Sequence, residues 1–160
     1  MKPIWRPMGR ADLPSVKHLS DAIYPPALSE SAAVYADRLA LYPQGCFLLV
    51  DGDEALGYLL THPWERGSPP KIDRPIGALP QDCDCYYVHD LALLPQARGS
   101  GAARAALDVI RNAMAREGLR VAQLVAVGGA DAFWGRMGFM KVAGADPGYG
   151  PDACLMQMEI

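Results

Sequence analysis

An apolar segment followed by a proline- and glycine-containing turn and an amphipathic helix constrains this chain more than any other feature. Residues 86–93, Tyr-Tyr-Val-His-Asp-Leu-Ala-Leu, are typical of a strand, which ends before Pro95. From Gly101 to Glu117 apolar residues recur at the spacing of one helix face. The segment from Val121 to Val127 is nearly all apolar and predicts a strand covered on both faces. This order of elements indicates a domain of the α/β class.

The rest of the chain continues to alternate between strand and helix. Asp51-Gly52 is a tight-turn signal between two apolar segments and predicts a β-hairpin. Asp12, Ser29 and Ser31 are residue types that begin helices. The other predicted elements are strands from Ile4 to Met8, Cys46 to Val50, Ala55 to His62, Phe139 to Val142 and Ala153 to Glu159, and helices from Asp12 to about Ser20, from Ser29 or Ser31 to Leu41, and from Ala130 to Met137.

A proline-rich segment separates the hairpin from the strand at residues 86–93. Residues 63–82 contain five prolines and two glycines. Loops of this length inside a compact domain are usually functional or mobile. Two interpretations stay open, a poorly ordered surface excursion or a wall or lid over the acceptor site.

The composition is that of one globular domain. Of 160 residues, 51% are hydrophobic and 21% charged, which suits a chain that buries a core. The formal net charge of -3 gives no overall attraction to nucleic acid or to an anionic membrane. The first residues lack the apolar core of a signal peptide, and no apolar run reaches the roughly 20 residues of a membrane span. We expect a single cytoplasmic domain over residues 1–160, without nucleic acid or membrane partners.

The four cysteines do not form a recognisable framework. Cys83 and Cys85 are two apart, which differs from the Cys-x-x-Cys spacing of zinc sites, and His89 is the nearest further ligand type. Cys46 and Cys154 stand alone in the sequence. We expect free thiols in a reducing compartment and no metal. A zinc-binding regulatory domain that uses Cys83, Cys85 and His89 is the less favoured alternative.

The turn at residues 95–102 has the chemistry of an anion site. Gly99 and Gly101 let the backbone turn tightly and approach a ligand without a Cβ in between. The N–H groups from Arg98 to Ala102 would then point outward at the positive end of the helix dipole, beside the Arg98 charge. Such a turn suits a pyrophosphate, and the plain alternative is an ordinary strand-to-helix connection.

Two other phosphate-binding motifs are excluded by the residues present. A Walker loop requires Gly-x-x-x-x-Gly-Lys-Ser/Thr, and no Gly-Lys pair occurs in the chain. A dinucleotide fold requires Gly-x-Gly-x-x-Gly, and Arg104 stands where the third glycine would be. The glycine turn therefore belongs to another class of anion site.

Several segments, in the expected order, resemble motifs of the GNAT superfamily of N-acetyltransferases. Residues 96–101, Gln-Ala-Arg-Gly-Ser-Gly, match its Gln/Arg-x-x-Gly-x-Gly/Ala motif, and residues 89–93 resemble the "DLAV" strand before it. Residues 130–139 resemble the family's "A…FYxxxGF" segment. Residues 148–153 resemble the "SYG-x-DA" ending of some bacterial members.

The resemblance implies the GNAT fold and a site for acetyl-coenzyme A. This fold is a mixed central sheet of about six to seven strands with a splayed parallel pair, flanked by about four helices. The cofactor would lie where the pair diverges, after Asp90-Leu91, with main-chain groups of Leu91 and Leu93 facing the acetyl group and the pantetheine arm. The residues implied to bind it are Leu91, Ala92, Leu93, Gln96, Ala97, Arg98, Gly99, Ser100, Gly101, Ala102 and Trp134.

The resemblance also implies direct acetyl transfer to a primary amine. Asp90 is similar in position to the Asp of "YDLAV" strands in aminoglycoside 3-N-acetyltransferases. It is therefore the first candidate to position or deprotonate the amine, and the alternative is capping of a nearby helix or loop. Strand alternation predicts that His89 points to the opposite face from Asp90, as a structural or surface residue, with a general base as the minority interpretation.

The leaving thiolate lacks its usual proton donor. Trp134 occupies the place of the family's tyrosine, and an indole cannot protonate a thiolate in that way. Trp134 would pack on the pantetheine arm or simply in the core. Tyr149 and Tyr87 are the phenols that would supply the proton, with Tyr149 preferred, and a thiol with a pKa near 8.5 also leaves tolerably unaided. The asparagine usual on the splayed strand falls near Val127 and is absent.

These features lead us to expect an acetyl-CoA-dependent N-acetyltransferase that acts on a small-molecule or peptide amine, as a monomer or homodimer. The alternative is a non-catalytic acyl-CoA-binding module with a degenerate active site. The first two helices and the proline-rich segment would line the acceptor end. The aromatic candidates for that lining, each equally suited to the core or surface, are Tyr24, Tyr35, Tyr58, Trp64 and Tyr86.

Overall fold

The computed structural model describes residues 2–144 and 147–160, which form seven strands and four α-helices joined by short 3-10 turns. None of these helices is long and apolar enough to cross a membrane. The strands are β1 Ile4–Pro7, β2 Cys46–Asp51, β3 Glu54–Trp64, β4 Cys85–Leu93, β5 Val121–Ala126, β6 Met140–Lys141 and β7 Cys154–Glu159; the helices are α1 Leu13–Ile23, α2 Ala32–Leu41, α3 Ala102–Glu117 and α4 Asp131–Arg136.

The strands form one mixed sheet in the order β1-β2-β3-β4-β5-β7-β6. Only β4 and β5 pair in parallel within the described sheet, and α3 connects them as the crossover of a βαβ unit. The predicted fold class, a mixed sheet with one parallel pair and about four helices, is confirmed. Helix α1 runs past the predicted end near Ser20, because the chain first leaves helical geometry at Tyr24, the residue before Pro25.

Each face of the sheet has its own core. On one face α3 and α4 pack Ile110, Met114 and Trp134 against strand residues such as Leu124. On the other face residues of α1 and α2, including Val16, Tyr35 and Leu39, pack against Tyr58 and Leu60 of β3. The C-terminal ends of the parallel strands β4 and β5 lie between the layer of α3 and α4 and the layer of α1 and α2.

A β-bulge in β4 changes which face its side chains point to. Leu60 of β3 is paired with Asp90 and the next residue, Thr61, with Val88, so His89 has no partner on β3. Val88 lies in the core beneath α3, whereas Ala92 lies in the core beneath α1 and α2. Without the extra residue the simple alternation of a strand would place Val88 and Ala92 on the same face.

The parallel pair diverges after the bulge. Pairing between β4 and β5 ends at Val88 and Leu124, although β4 continues to Leu93. The Leu94 N–H donates to the Leu56 carbonyl at 2.9 Å, and peptide groups in antiparallel pairs alternate in direction. The peptide groups of Leu91 and Leu93 therefore face away from β3, into the gap beside β5.

Candidate functional site

The gap between β4 and β5 opens into a cavity of about 630 Å³. Gln96 and Ser100 do not border it, and Ser100 instead stabilises the turn by donating from Oγ to the Ala97 carbonyl at 2.5 Å. The other residues that sequence reasoning assigned to the cofactor all border this cavity: Leu91, Ala92, Leu93, Ala97, Arg98, Gly99, Gly101, Ala102 and Trp134.

The glycine turn presents alternate, not successive, amides. The N–H groups of Arg98, Ser100 and Ala102 are occupied within the turn, at 3.1 to 3.3 Å from their acceptors. The expectation that every N–H from Arg98 to Ala102 points outward is therefore wrong. No acceptor among the described residues is bonded to the N–H groups of Gly99, Gly101, Ala103 and Arg104.

Both turn glycines hold conformations that other residues rarely adopt. Gly99 has φ of 78° and Gly101 has φ of 88°, and a Cβ on either would extend into open space. Trp5 fixes the start of α3 from the far edge of the sheet, since its Nε1 donates to the Ala102 carbonyl at 2.9 Å. The turn is thus a rigid open cradle at the positive end of a 16-residue helix.

The residues present at this end fit a diphosphate ligand with an amide-containing arm. Unpaired amides and the Arg98 and Arg104 side chains border the cavity where a diphosphate would lie. The outward peptide groups of Leu91 and Leu93 extend this row along β4. Coenzyme A can therefore bind with its diphosphate at the N-terminus of α3 and its amide-containing arm along the peptide groups of β4.

Asp90 lies at the bulge beneath two phenols. Tyr24 Oη donates to Asp90 Oδ1 at 2.5 Å, and Tyr58 Oη donates to Oδ2 at 2.6 Å. Burial raises the pKa of Asp90 to about 6, against the opposing effects of His89 and the two phenols. Burial and the charge of Asp90 raise the pKa of both phenols well above the usual range, so both stay protonated. The alternative that Asp90 caps a helix or loop is not observed.

His89 and Asp90 point to the same side of the sheet, so the expectation of opposite faces is wrong. His89 Nε2 lies 2.6 Å from Glu30 Oε1, and Glu30 precedes α2 on the face that also carries Tyr24. The bulge causes this, because side chains at neighbouring bulge positions do not alternate. His89 is thereby brought into the wall of the cavity next to Asp90.

Glu30 is a site residue that sequence reasoning missed. Its side chain is 6% exposed and that of His89 is 1% exposed. Burial raises the pKa of Glu30, but the hydrogen bond and charge of His89 outweigh this and leave it below its usual value. Its signal in the sequence was weak, because an acid between Ser29 and Ser31 is typical of an exposed helix start. No group of three or more metal-ligating side chains occurs among the described residues.

Of the two phenols predicted to supply a proton, Tyr149 and Tyr87, Tyr149 is the one that reaches the cavity. It borders the cavity, and its hydroxyl donates to the Pro70 carbonyl at 2.6 Å. Burial raises the pKa of Tyr149 to about 12. Tyr87 is buried in the sheet and does not border the cavity. Trp134 both borders the cavity and packs edge-on against Phe133 and Phe139, so it belongs to the core, and its contact with a pantetheine arm stays a prediction.

The loop between β3 and β4 forms one wall at the opposite end from the glycine turn. Its backbone N–H groups donate to side chains elsewhere in the fold: Asp73 to Glu30, Ile76 and Gly77 to Asp37. Ile72 of this loop borders the cavity. The proline-rich segment therefore contributes to the cavity wall, and its role over an acceptor site stays a prediction. The side chains that line this end are Ile23, Tyr24, Leu28, Glu30, Ile72 and Tyr149.

Comparison with known proteins places this geometry in a family. The sequence profile of the acetyltransferase (GNAT) family matches residues 13–139. None of the curated protein sequences compared with the chain matches it significantly.

Solved structures of low sequence identity share the fold over nearly the whole chain. The loading GNATL domain of CurA from Lyngbya majuscula has a TM-score of 0.82 at 13% identity, covering 98% of this chain and 97% of that one. Arabidopsis thaliana Naa50, solved with the bisubstrate analogue CoA-Ac-MVNAL, has a TM-score of 0.71 at 15% identity, covering 100% of both chains. The ribosomal-protein-S18-alanine N-acetyltransferase from Escherichia coli has a TM-score of 0.67 at 17% identity, covering 99% and 94%.

The profile spans most of the chain, and it includes the diverging strands, the glycine turn and α3. The same segments build the cavity described above. The chain therefore belongs to the GNAT family of acetyltransferases.

Proposed function

We propose that this protein transfers an acetyl group from acetyl-CoA to the primary amine of a small molecule or peptide. One observation carries the proposal: a single cavity holds the glycine-turn amides at one end and Asp90 at the other. The similar Naa50 structure contains a bisubstrate analogue that joins CoA to a peptide, which supports a cleft of this fold holding both substrates. The thioester of acetyl-CoA supplies the activated acetyl group.

The CoA end of the cavity binds through main-chain groups. The N–H groups of Gly99, Gly101, Ala103 and Arg104 take the pyrophosphate, with Arg98 as a nearby positive charge. The Leu91 and Leu93 peptide groups hold the pantetheine arm, and an N–H of this unpaired edge stabilises the oxyanion that forms at the thioester carbonyl.

At the acceptor end, ionisable groups that can take a proton from the amine lie beside apolar side chains. A primary amine with a pKa near 10.4 attacks only in its uncharged form, so a base must take protons from it. Asp90, whose pKa is raised to about 6, is ionised at neutral pH and is a stronger base than an ordinary aspartate. Ile23, Leu28 and Ile72 favour an acceptor that carries apolar groups beside its amine. Tyr149 is the candidate donor to the departing thiolate.

Calorimetric titration with acetyl-CoA tests the cofactor site. Gly101→Glu places a bulky anion in the cradle, and we expect it to abolish micromolar binding, which corresponds to about 8 kcal/mol. Gly118→Glu is the matched control. Gly118 has φ of 68° at the other end of α3, so the backbone strain is similar but the cradle is intact.

The same titration separates the possible outcomes. Binding by wild type and Gly118→Glu, lost in Gly101→Glu, supports the cofactor site. Equal loss in both variants, or no binding by folded wild-type protein, would refute it. Turnover with a panel of primary amines then distinguishes the enzyme from an acyl-CoA-binding module that does not catalyse.

A further inference from the structure

The hydroxyl oxygen of Tyr24 can accept a hydrogen bond at the end of the cavity where the amine would bind. A phenol carries one proton, and that of Tyr24 is directed at Asp90 Oδ1 over 2.5 Å. Tyr24 also borders the cavity, so the lone pairs of its oxygen remain for a donor that enters there. An amine is such a donor.

The partner phenol on Asp90 lacks this access. Tyr58 donates to Asp90 Oδ2 at 2.6 Å, but it is fully buried and does not border the cavity. Asp90 itself borders the cavity, yet each of its oxygens already accepts a short bond from a phenol. An amine that donates directly to Asp90 must compete with these bonds, whereas Tyr24 Oη offers an acceptor already linked to a base.

The sequence holds Tyr24 in this position. Its N–H donates to the Ser20 carbonyl at 2.9 Å and closes the last turn of α1. Pro25 follows, which forces Tyr24 into an extended conformation with φ of -104° and ψ of 148°. The ring therefore leaves the helix at a fixed angle, toward the bulge of β4.

We propose that Tyr24 is a catalytic residue that contacts the amine and relays its proton to Asp90. As the C–N bond forms, the amine N–H bond breaks and its proton passes to Tyr24 Oη. The Tyr24 O–H bond breaks in the same step, and that proton passes to Asp90 Oδ1. Tyr24 ends neutral, Asp90 becomes a neutral acid, and the departing thiolate takes a proton from Tyr149 or water. The relay rests on the proposed acetyl transfer.

The electrostatics require the two protons to move together. Burial and the Asp90 charge raise the pKa of Tyr24 well above its usual value, so a free tyrosinate does not form. The raised pKa of Asp90 makes it able to hold the proton that arrives. Tyr24 therefore acts as a bridge and not as a base of its own.

Two matched variants test the relay. Tyr24→Phe and Tyr58→Phe each remove one hydroxyl bonded to Asp90, but only Tyr24→Phe removes the group that faces the amine. In single-turnover measurements of acetyl transfer we expect Tyr24→Phe to slow the step by about a hundredfold, within the range of general acid–base catalysis. Tyr58→Phe should cause a much smaller loss, and both variants should keep the wild-type affinity for acetyl-CoA.

A measurement on the wild-type protein provides an independent test that needs no variant. If two protons move in the transfer step, the single-turnover rate in mixtures of H₂O and D₂O falls along a curve as the deuterium fraction rises. A straight line, or equal rate losses in the two variants, would overturn the relay while leaving acetyl transfer in place. Bound acetyl-CoA without turnover of any amine would refute the proposed function, and the relay with it.

Discussion

At the scale of single residues, the acceptor end is a set of ionisable groups held away from water. Asp90 faces Tyr24, which directly follows α1, Tyr58 from β3, and the His89–Glu30 pair that links β4 to the start of α2. The pKa of Asp90 is raised by burial, whereas that of Glu30 is lowered through His89. Two neighbouring acids therefore have different proton affinities, as acid–base chemistry requires.

Asp90 makes the stability of the fold depend on pH. In the folded state the pKa of Asp90 is about 6, above the ordinary 3.8. Between these two pH values the folded protein therefore keeps a proton on Asp90 that the unfolded chain has lost. The contribution of Asp90 is therefore fully present below about pH 4 and is lost as pH rises through about 6, which costs about 3 kcal/mol of unfolding free energy. Asp90→Asn should remove this loss.

Urea unfolding at a series of pH values measures the effect. The unfolding free energy of Asp90→Asn relative to wild type should increase as pH rises from about 4 to 7. The opposing contribution of Glu30 is present in both proteins and cancels in the difference. A difference that does not change with pH would show that Asp90 is not the group that titrates.

At the scale of elements, the sequence predicted the turns and helices that depend on residues close together in the chain. The glycine turn and α3 were predicted from Gly99, Gly101 and the helical spacing, because both depend on neighbours in the chain. The bulge at His89 was not, since it exists only relative to the register of β3. The face of His89 was therefore predicted wrongly, although the strand itself was predicted.

The acceptor end shows the same limit. Asp90 was chosen from a resemblance, but its two phenols come from the end of α1 and from β3, far away in sequence. Glu30 gained its role only when the fold brought it to His89. Which tyrosines reach the cavity and which enter the core cannot be read from residue type, because both environments suit a phenol.

The attachment of the loop to α2 can be broken with one substitution. Asp37 accepts hydrogen bonds from the loop N–H groups of Ile76 and Gly77, and it pairs with the buried Arg38 at 2.9 Å. Asp37→Ala should lower the unfolding free energy by about 3 kcal/mol, because it leaves the Arg38 charge without its partner. It should also free the loop for trypsin cleavage after Lys71.

Asp108→Ala is the control for this experiment. Asp108 is exposed on α3, and its side chain has no hydrogen bond or ion pair within residues 2–144 and 147–160. It should melt and resist trypsin like wild type. Unchanged trypsin resistance of Asp37→Ala would contradict the assigned attachment of the loop.

At the scale of the whole molecule, two cores share one sheet. The sheet is continuous across β4 and β5 at Tyr86, Tyr87 and Val88, and it opens only beyond this point. Helix α3 spans the parallel pair on one face, while α1 and α2 cover the other. The cavity therefore lies between layers that belong to the same sheet, and a single folding domain stays a prediction of this arrangement.

Matched core deletions test that prediction. Leu60→Ala removes buried volume beneath α1 and α2, and Ile110→Ala removes it beneath α3. Each should lower the unfolding free energy by about 2–5 kcal/mol and shift one cooperative transition. Tryptophan fluorescence and far-UV circular dichroism should report the same midpoint in each variant. Separate midpoints in either variant would show two independently folding layers.

Much of the attachment of the loop wall runs through its own backbone. The Gly67, Asp73, Ile76 and Gly77 N–H groups and the Pro70 carbonyl bind side chains that belong to the rest of the fold. Among its side chains, Asp73 accepts a hydrogen bond from the Ser31 N–H and Leu79 packs against the core, whereas Ile72 borders the cavity. The Ile72 side chain can thus be exchanged while these hydrogen bonds keep the loop in place. Acceptor preference can change in this protein without change to the machinery that transfers the acetyl group.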